Sequence, residues 1–164
     1  MKQITRLLTA LVFCSLVIFI SCKKKKGGGE EDPDNRDIVG AALAGPWVPT
    51  SVLFDDANRT EWSEFSIGFS YNPDTDAGNY TVSGVPTDDG ASDVWGEGTV
   101  NWAFDGDDET ADTGTIIRED GVEMSAELDN IESPTKLTLT FSVDDPDART
   151  AGFYGTWKFE FDIQ

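Results

Sequence analysis

The chain has 164 residues, with 31 Asp plus Glu against 12 Lys plus Arg, a formal charge of −19, and no His. From Ile38 onward, 26 acids face only Arg59, Arg118, Lys136, Arg149 and Lys158, so that part alone carries −21. Such a body repels a phosphate backbone, which excludes nucleic acid as a partner, and the missing imidazoles remove His-based triads and weaken any case for zinc.

The chain opens with Lys2 and Arg6, an apolar run from Leu7 to Ile20, then Ser21 and Cys22. Basic start, apolar run and small residue, in that order, are the architecture of a cleaved export signal. The run is shorter than the ~20 apolar residues a transmembrane helix needs. Phe19-Ile20-Ser21-Cys22 resembles the lipobox of bacterial lipoproteins, and the short signal, the Lys after Cys and the acidic body are similar to those of Bacteroidota. That resemblance implies removal of residues 1–21 and a mature N-terminus at Cys22, carrying thioether-linked diacylglycerol and an N-acyl chain such as palmitate. Two or more acyl chains suffice for stable anchoring. Lys23 is not the Asp that favours inner-membrane retention, so the resemblance implies the outer membrane. Glu30-Glu31-Asp32 resembles an acidic surface-export signal and favours the cell surface over the periplasmic face.

Cys14 leaves with the signal, Cys22 is then the only Cys, and no intrachain disulfide is possible. The exported domain must fold on its core alone. Residues 22–37 pass from Cys22 through Lys23–Lys26 and Gly27–Gly29 to an acidic stretch with nothing apolar to bury, and read as a flexible tether. Its span is about 20 Å, and each lysine near the lipid adds about 1 kcal/mol of attraction to anionic head groups.

Residues 38–164 form one domain. Ile38–Ala44 is briefly helical. Strands with one apolar face then follow over Trp47–Phe54, Phe65–Tyr71, Asn79–Ser83, Thr99–Phe104, Thr113–Arg118, Val122–Leu128, Leu137–Val143 and Trp157–Ile163, where apolar residues recur at every second position. Turn residues separate them, and Glu119-Asp120-Gly121 is the clearest tight-hairpin signal because Asp-Gly readily takes positive φ. Connections this short leave no room for crossover helices. The fold class is all-β, an antiparallel meander of about eight strands closed into a barrel or, alternatively, folded as a β-sandwich.

Gly45-Pro46-Trp47 opens the first strand and Gly155-Thr156-Trp157 the last, with Gly98-Thr99-Val100-Asn101-Trp102 a stretched variant between them. A Gly-x-Trp opening eight antiparallel strands resembles the lipocalin-like barrels. In lipocalins a late Arg packs across the first Trp; the late bases here are Lys158, on the opposite alternation of the last strand, and Arg149.

Trp47, Trp102 and Trp157 suit a core that must work without disulfides. Trp62 and Trp95 fall near strand ends, where an aromatic can stack on a sugar ring or gate an apolar cavity. With Phe69 and Phe141 on inward faces, they are the candidate ligand-binding residues. The Asn72–Ser83 stretch starts like an EF-hand loop but has Ala77 and Ser83 where Gly and Glu are required. Asp105, Asp107, Asp108, Glu109 and Asp112, or Asp144, Asp145 and Asp147, are left as irregular candidates for Ca²⁺. No metal site or cofactor is assigned, and no pair of carboxylates stands out for catalysis among so many. The leading expectation is a non-catalytic lipocalin-like module holding a small apolar or amphipathic ligand. The alternative is an envelope or surface interaction module with a filled core that binds protein or glycan. The two differ in whether the inward side chains fill the interior, and eight strands permit either.

Overall fold

The computed structural model describes residues 34–87, 90–96, 98–106, 112–144 and 153–164, which belong to a unit spanning Pro33–Gln164. The signal, Cys22 and the tether as far as Pro33 lie outside the described residues, as does Arg149. The elements are α1 (Asn35–Leu43), β1 (Gly45–Phe54), β2 (Ala57–Asn58), a 3-10 turn (Thr60–Trp62), β3 (Ser66–Asn72), β4 (Ala77–Ser83), α2 (Ala91–Trp95), β5 (Thr99–Asp105), β6 (Asp112–Arg118), β7 (Glu123–Leu128), β8 (Lys136–Val143) and β9 (Gly155–Ile163).

Neighbouring strands pair in the order β1-β3-β4-β5-β6-β7-β8-β9, all antiparallel, and β9 pairs back onto β1. The sheet is thus a closed barrel rather than a sandwich, with the two-residue β2 added beside the end of β1. Closure removes the exposed strand edges that an open sheet would present. All eight expected strands are present. Register carries the alternation around the barrel: Phe69 faces Tyr80 and Tyr80 faces Val100, while Met124 faces Phe141 and Phe141 faces Trp157, all inward and buried.

The helix α1 starts at Asn35, earlier than the apolar pattern indicates, so Asn35–Asp37 belong to the domain and not to the tether. The reason is polar: the Asp34 carboxylate accepts from Arg36 N at 2.9 Å as an N-cap, and Arg36 Nη2 lies 3.3 Å from both Asp34 Oδ2 and Asp76 Oδ2. Val39, Ala42 and Leu43 turn inward, and Gly40 rests on the face of Tyr71, where a Cβ would lie 2.5 Å from the ring.

The two Gly-x-Trp motifs occupy equivalent corners at opposite ends of the β1–β9 pair. Trp47 Nε1 donates to Leu43 O at 2.9 Å and Trp157 Nε1 to Phe153 O at 2.8 Å, each reaching four residues upstream. Gly45 and Gly155 adopt φ of 148° and 157°. At Gly155 a Cβ would meet Phe54 and Asp55 at 2.8 Å, so the close approach of the neighbouring corner excludes a side chain there. Among the described residues the cation packed over a motif tryptophan is Arg59: its guanidinium lies 5.2 Å from the Trp157 ring, 5.5 Å from Phe54 and 5.1 Å from Phe153, and it pairs with Glu61.

Candidate functional site

The connections that cap the barrel opposite α1 decide what the interior holds. The segment after β2 turns inward so that Trp62 and Phe65 enter the barrel, and α2 follows Gly90 with Ala91, Val94 and Trp95 fully covered. Trp95 stacks on Phe65 with centroids 5.2 Å apart, and stands edge-on to Tyr80, Phe141 and Phe159 at 5.8, 5.0 and 4.9 Å. Trp62 meets Phe65, Trp157 and Phe159 at 5.3 to 5.4 Å.

The four residues selected from the sequence as ligand contacts are therefore brought together, but as neighbours in one packed cluster. Trp62 and Trp95 are 0% exposed, Phe141 3% and Phe69 5%. The inward faces of β3, β5, β8 and β9 that were to decide between an open and a filled barrel are buried against one another. Sequence reasoning placed Trp62 and Trp95 at an open mouth because a short connection does not reveal whether it folds over the barrel or into it.

Two kinds of polar group are carried inside. Tyr80 donates its hydroxyl to Trp95 O at 2.7 Å, and burial pushes its phenol well above the ordinary value. The indole N–H groups of Trp62, Trp95 and Trp102 have no hydrogen-bond acceptor among the described residues. Each of these rings stands nearly perpendicular to a neighbour: Trp62 to Phe159 at 89°, Trp95 to Tyr80 at 88° and Trp102 to Phe104 at 81°. In such edge-to-face packing a ring face serves as a weak acceptor.

A concavity lies outside the barrel. A groove of about 1140 Å³ runs over the end opposite α1, between α2, the β6–β7 hairpin and the outward faces of β7 and β8. Its floor is a cross-strand row of hydroxyls, Thr115 opposite Ser125 opposite Thr140, extended by Ser142 opposite Thr156. Asp93, Asp120, Glu123 and Asp144 line it, Val122 adds apolar surface, and Tyr154 donates to Asp93 Oδ2 at 3.3 Å.

One buried side chain joins the walls. Arg118, 3% exposed, donates through Nη1 to Val94 O at the end of α2 and through Nε to Asp120 Oδ1 at 3.0 Å, while Nη2 also contacts Asp120. Partial burial works to raise the Asp120 carboxyl, but the Arg118 hydrogen bonds and charge, with the Val122 N–H, hold it below the usual range. The guanidinium thus ties the hairpin to α2 through each of its three nitrogens. The sequence signal for it was slight: one of five bases in the domain, beside a tight turn.

No protein-family model matches the chain, and no curated protein is significantly similar to it. The charge pattern must carry the reading. Every described Lys and Arg has a carboxylate partner: Arg36 with Asp34 and Asp76, Arg59 with Glu61, Arg118 with Asp120, Lys136 with Asp162 and Lys158 with Glu160. The field left over is negative. Among the described residues no three Asp, Glu or Cys side chains converge as metal ligands. Asp107, Asp108, Glu109, Asp145 and Asp147, from the two loops considered for Ca²⁺, lie outside the described residues, and the Asn72 side-chain oxygen Oδ1 accepts from Asp74 N at 3.0 Å.

Proposed function

We propose that the protein is a lipid-anchored outer-membrane component that binds a partner through the groove opposite α1 and catalyses no reaction. The observation that carries this reading is the packing of Trp62, Phe69, Trp95 and Phe141 in the barrel interior, while the large concavity lies outside it. The anchor is Cys22, lipidated as the lipobox resemblance implies. The acidic groove walls favour a partner with positive charge, and the hydroxyl floor offers donors and acceptors to an extended segment, so a basic stretch of a partner protein fits best.

The small amphipathic ligand expected from the barrel shape has a place in the same groove, where Val122 supplies apolar surface beside the acids. A neutral glycan is the other occupant to be tested. The deciding experiment is a binding screen of the purified protein against basic peptides, neutral oligosaccharides and single-chain cationic amphiphiles, repeated with Asp93→Asn and Ser125→Trp. Binding that Ser125→Trp abolishes and added salt weakens supports the reading. Binding that both variants leave untouched contradicts the groove, and anchoring is checked separately by membrane fractionation of Cys22→Ser.

A further inference from the structure

The large apolar side chains left exposed among the described residues are Ile38, Ile131 and Ile163, at 40%, 45% and 41%. They are scattered in sequence but not in the fold. Ile38 is on α1, Ile131 is in the loop from β7 to β8, and Ile163 ends β9, and all three elements meet the barrel at the α1 end. Ile163 N donates to Thr135 O at 3.1 Å, which ties the end of β9 to the loop carrying Ile131. That loop is in turn pinned by Asp129, whose carboxylate accepts from Thr135 N, Thr135 Oγ1 and Lys136 N. Isolated exposed apolar residues are ordinary on any surface. Three gathered at one end, on a fixed loop, a strand terminus and a helix, are a candidate contact face.

We propose that the α1 end rests on a zwitterionic phospholipid surface, with Ile38, Ile131 and Ile163 in contact with the boundary between head groups and acyl chains. The inference rests on the reading of Cys22 as the lipid anchor, and chain length is what selects lipid as the occupant. Asp34, which caps α1, is twelve residues on from Cys22. Twelve residues of free coil span about 20 Å, whereas an eight-residue strand such as β8 is itself about 26 Å long. The anchor therefore delivers the α1 end to the membrane and points the groove away from it, toward a partner. Asp34, Asp37, Asp76, Asp129, Glu132 and Asp162 outnumber Arg36 and Lys136 at the same end and oppose an anionic surface, which makes uncharged or zwitterionic head groups the fitting ones.

The processed, lipidated chain contains no free thiol, so a single introduced Cys takes a spin label cleanly. The test uses the full-length lipidated protein in phosphatidylethanolamine–phosphatidylcholine vesicles, with Ile131→Cys at the proposed contact and Glu64→Cys at the opposite end. Collisional relaxation by an aqueous nickel chelate should be lost at position 131 and kept at 64, with oxygen the stronger relaxant at 131. Equal access of the chelate at both positions overturns the docking. Protection that vanishes once vesicles carry fewer than one chain each also overturns it, in favour of contact between copies. Label uptake by the unsubstituted chain would show instead that Cys22 is not modified and that the anchor reading has failed.

Discussion

The two ends of the barrel are closed by different means. At the α1 end the seal is steric: a helix backbone at Gly40 lies on the Tyr71 ring, which in turn stacks on Trp102 at 6.0 Å. Across from Tyr71, Gly78 leaves the space that Trp102 fills, since a Cβ there would come within 2.8 Å of the indole and 1.9 Å of Ser70 O. At the groove end the seal is aromatic below and polar above, with Trp62, Phe65 and Trp95 inserted and Arg118 spanning from hairpin to helix. A steric seal leaves no space for a ligand beneath it. A seal made by one long side chain reaching across a gap leaves walls standing on either side, and those walls are the groove.

The contrast can be broken from the inside first. Trp95→Ala removes the centre of the aromatic cluster and should cost about 3 to 5 kcal/mol in urea unfolding. A near-neutral result, together with newly acquired affinity for an apolar dye, would mean that the interior tolerates a cavity of ligand size. Next is the latch. Arg118→Met keeps the side-chain volume but removes the hydrogen bonds to Val94 O and Asp120, and about 2 kcal/mol should be lost. The groove should lose its binding capacity at the same time, while the near-ultraviolet circular dichroism of the buried tryptophans is kept.

A smaller effect should follow at the steric seal. Gly40→Ala gains up to about 1 kcal/mol of helix propensity but drives a methyl group into Tyr71, an overpacking that costs about 1 to 3 kcal/mol. The net change should be a mild loss of melting temperature, with groove binding unaffected. The smallest effect belongs to the loop beside Ile131. Hydrogen bonds from the Thr135 hydroxyl, then from the Lys136 and Thr135 N–H groups, hold the Asp129 carboxyl at about 2, against an ordinary value of 3.8. A depressed folded-state value means its contribution is fully present above about pH 4 and lost as the pH falls through about 2. Asp129→Asn should lower stability at pH 7 and change little below about pH 2, which flattens the acid limb of the stability profile between them.

The strands were legible because alternation with period two survives in most of them, clearest in β5, β7, β8 and β9, whereas β1 breaks it at an irregularity between Pro49 and Ser51 that puts Trp47 and Val52 on the same face. The antiparallel meander followed from turn spacing and short connections, which left barrel and sandwich open until the pairing of β1 with β9 closed the sheet. The insertion of Trp62 and Trp95 did not follow, because their burial depends on how the segment after β2 and the loop before β5 fold back over the open end, which no periodicity records. The groove was hidden for a different reason. Thr115, Ser125 and Thr140 are ordinary outward positions of their strands, and they become a floor because α2 and the Arg118 hairpin rise on either side. The helix start was misplaced because Asp34 and Arg36 look like tether residues until Asp76 closes the ion pair.

The central claim, a filled interior with binding confined to the outside, is tested most directly by the five indole signals in a ¹⁵N–¹H correlation spectrum. Trp47 and Trp157, which donate to carbonyls, should appear downfield, and Trp62, Trp95 and Trp102, edge-on to aromatic rings, should be shifted upfield. The account predicts that all five exchange slowly with water and stay in place when apolar or amphipathic ligands are added, while amide signals of Ser125 and Thr140 respond to a groove ligand. Movement of the Trp95 and Trp62 indoles on adding an apolar ligand would contradict it and return the binding site to the barrel interior.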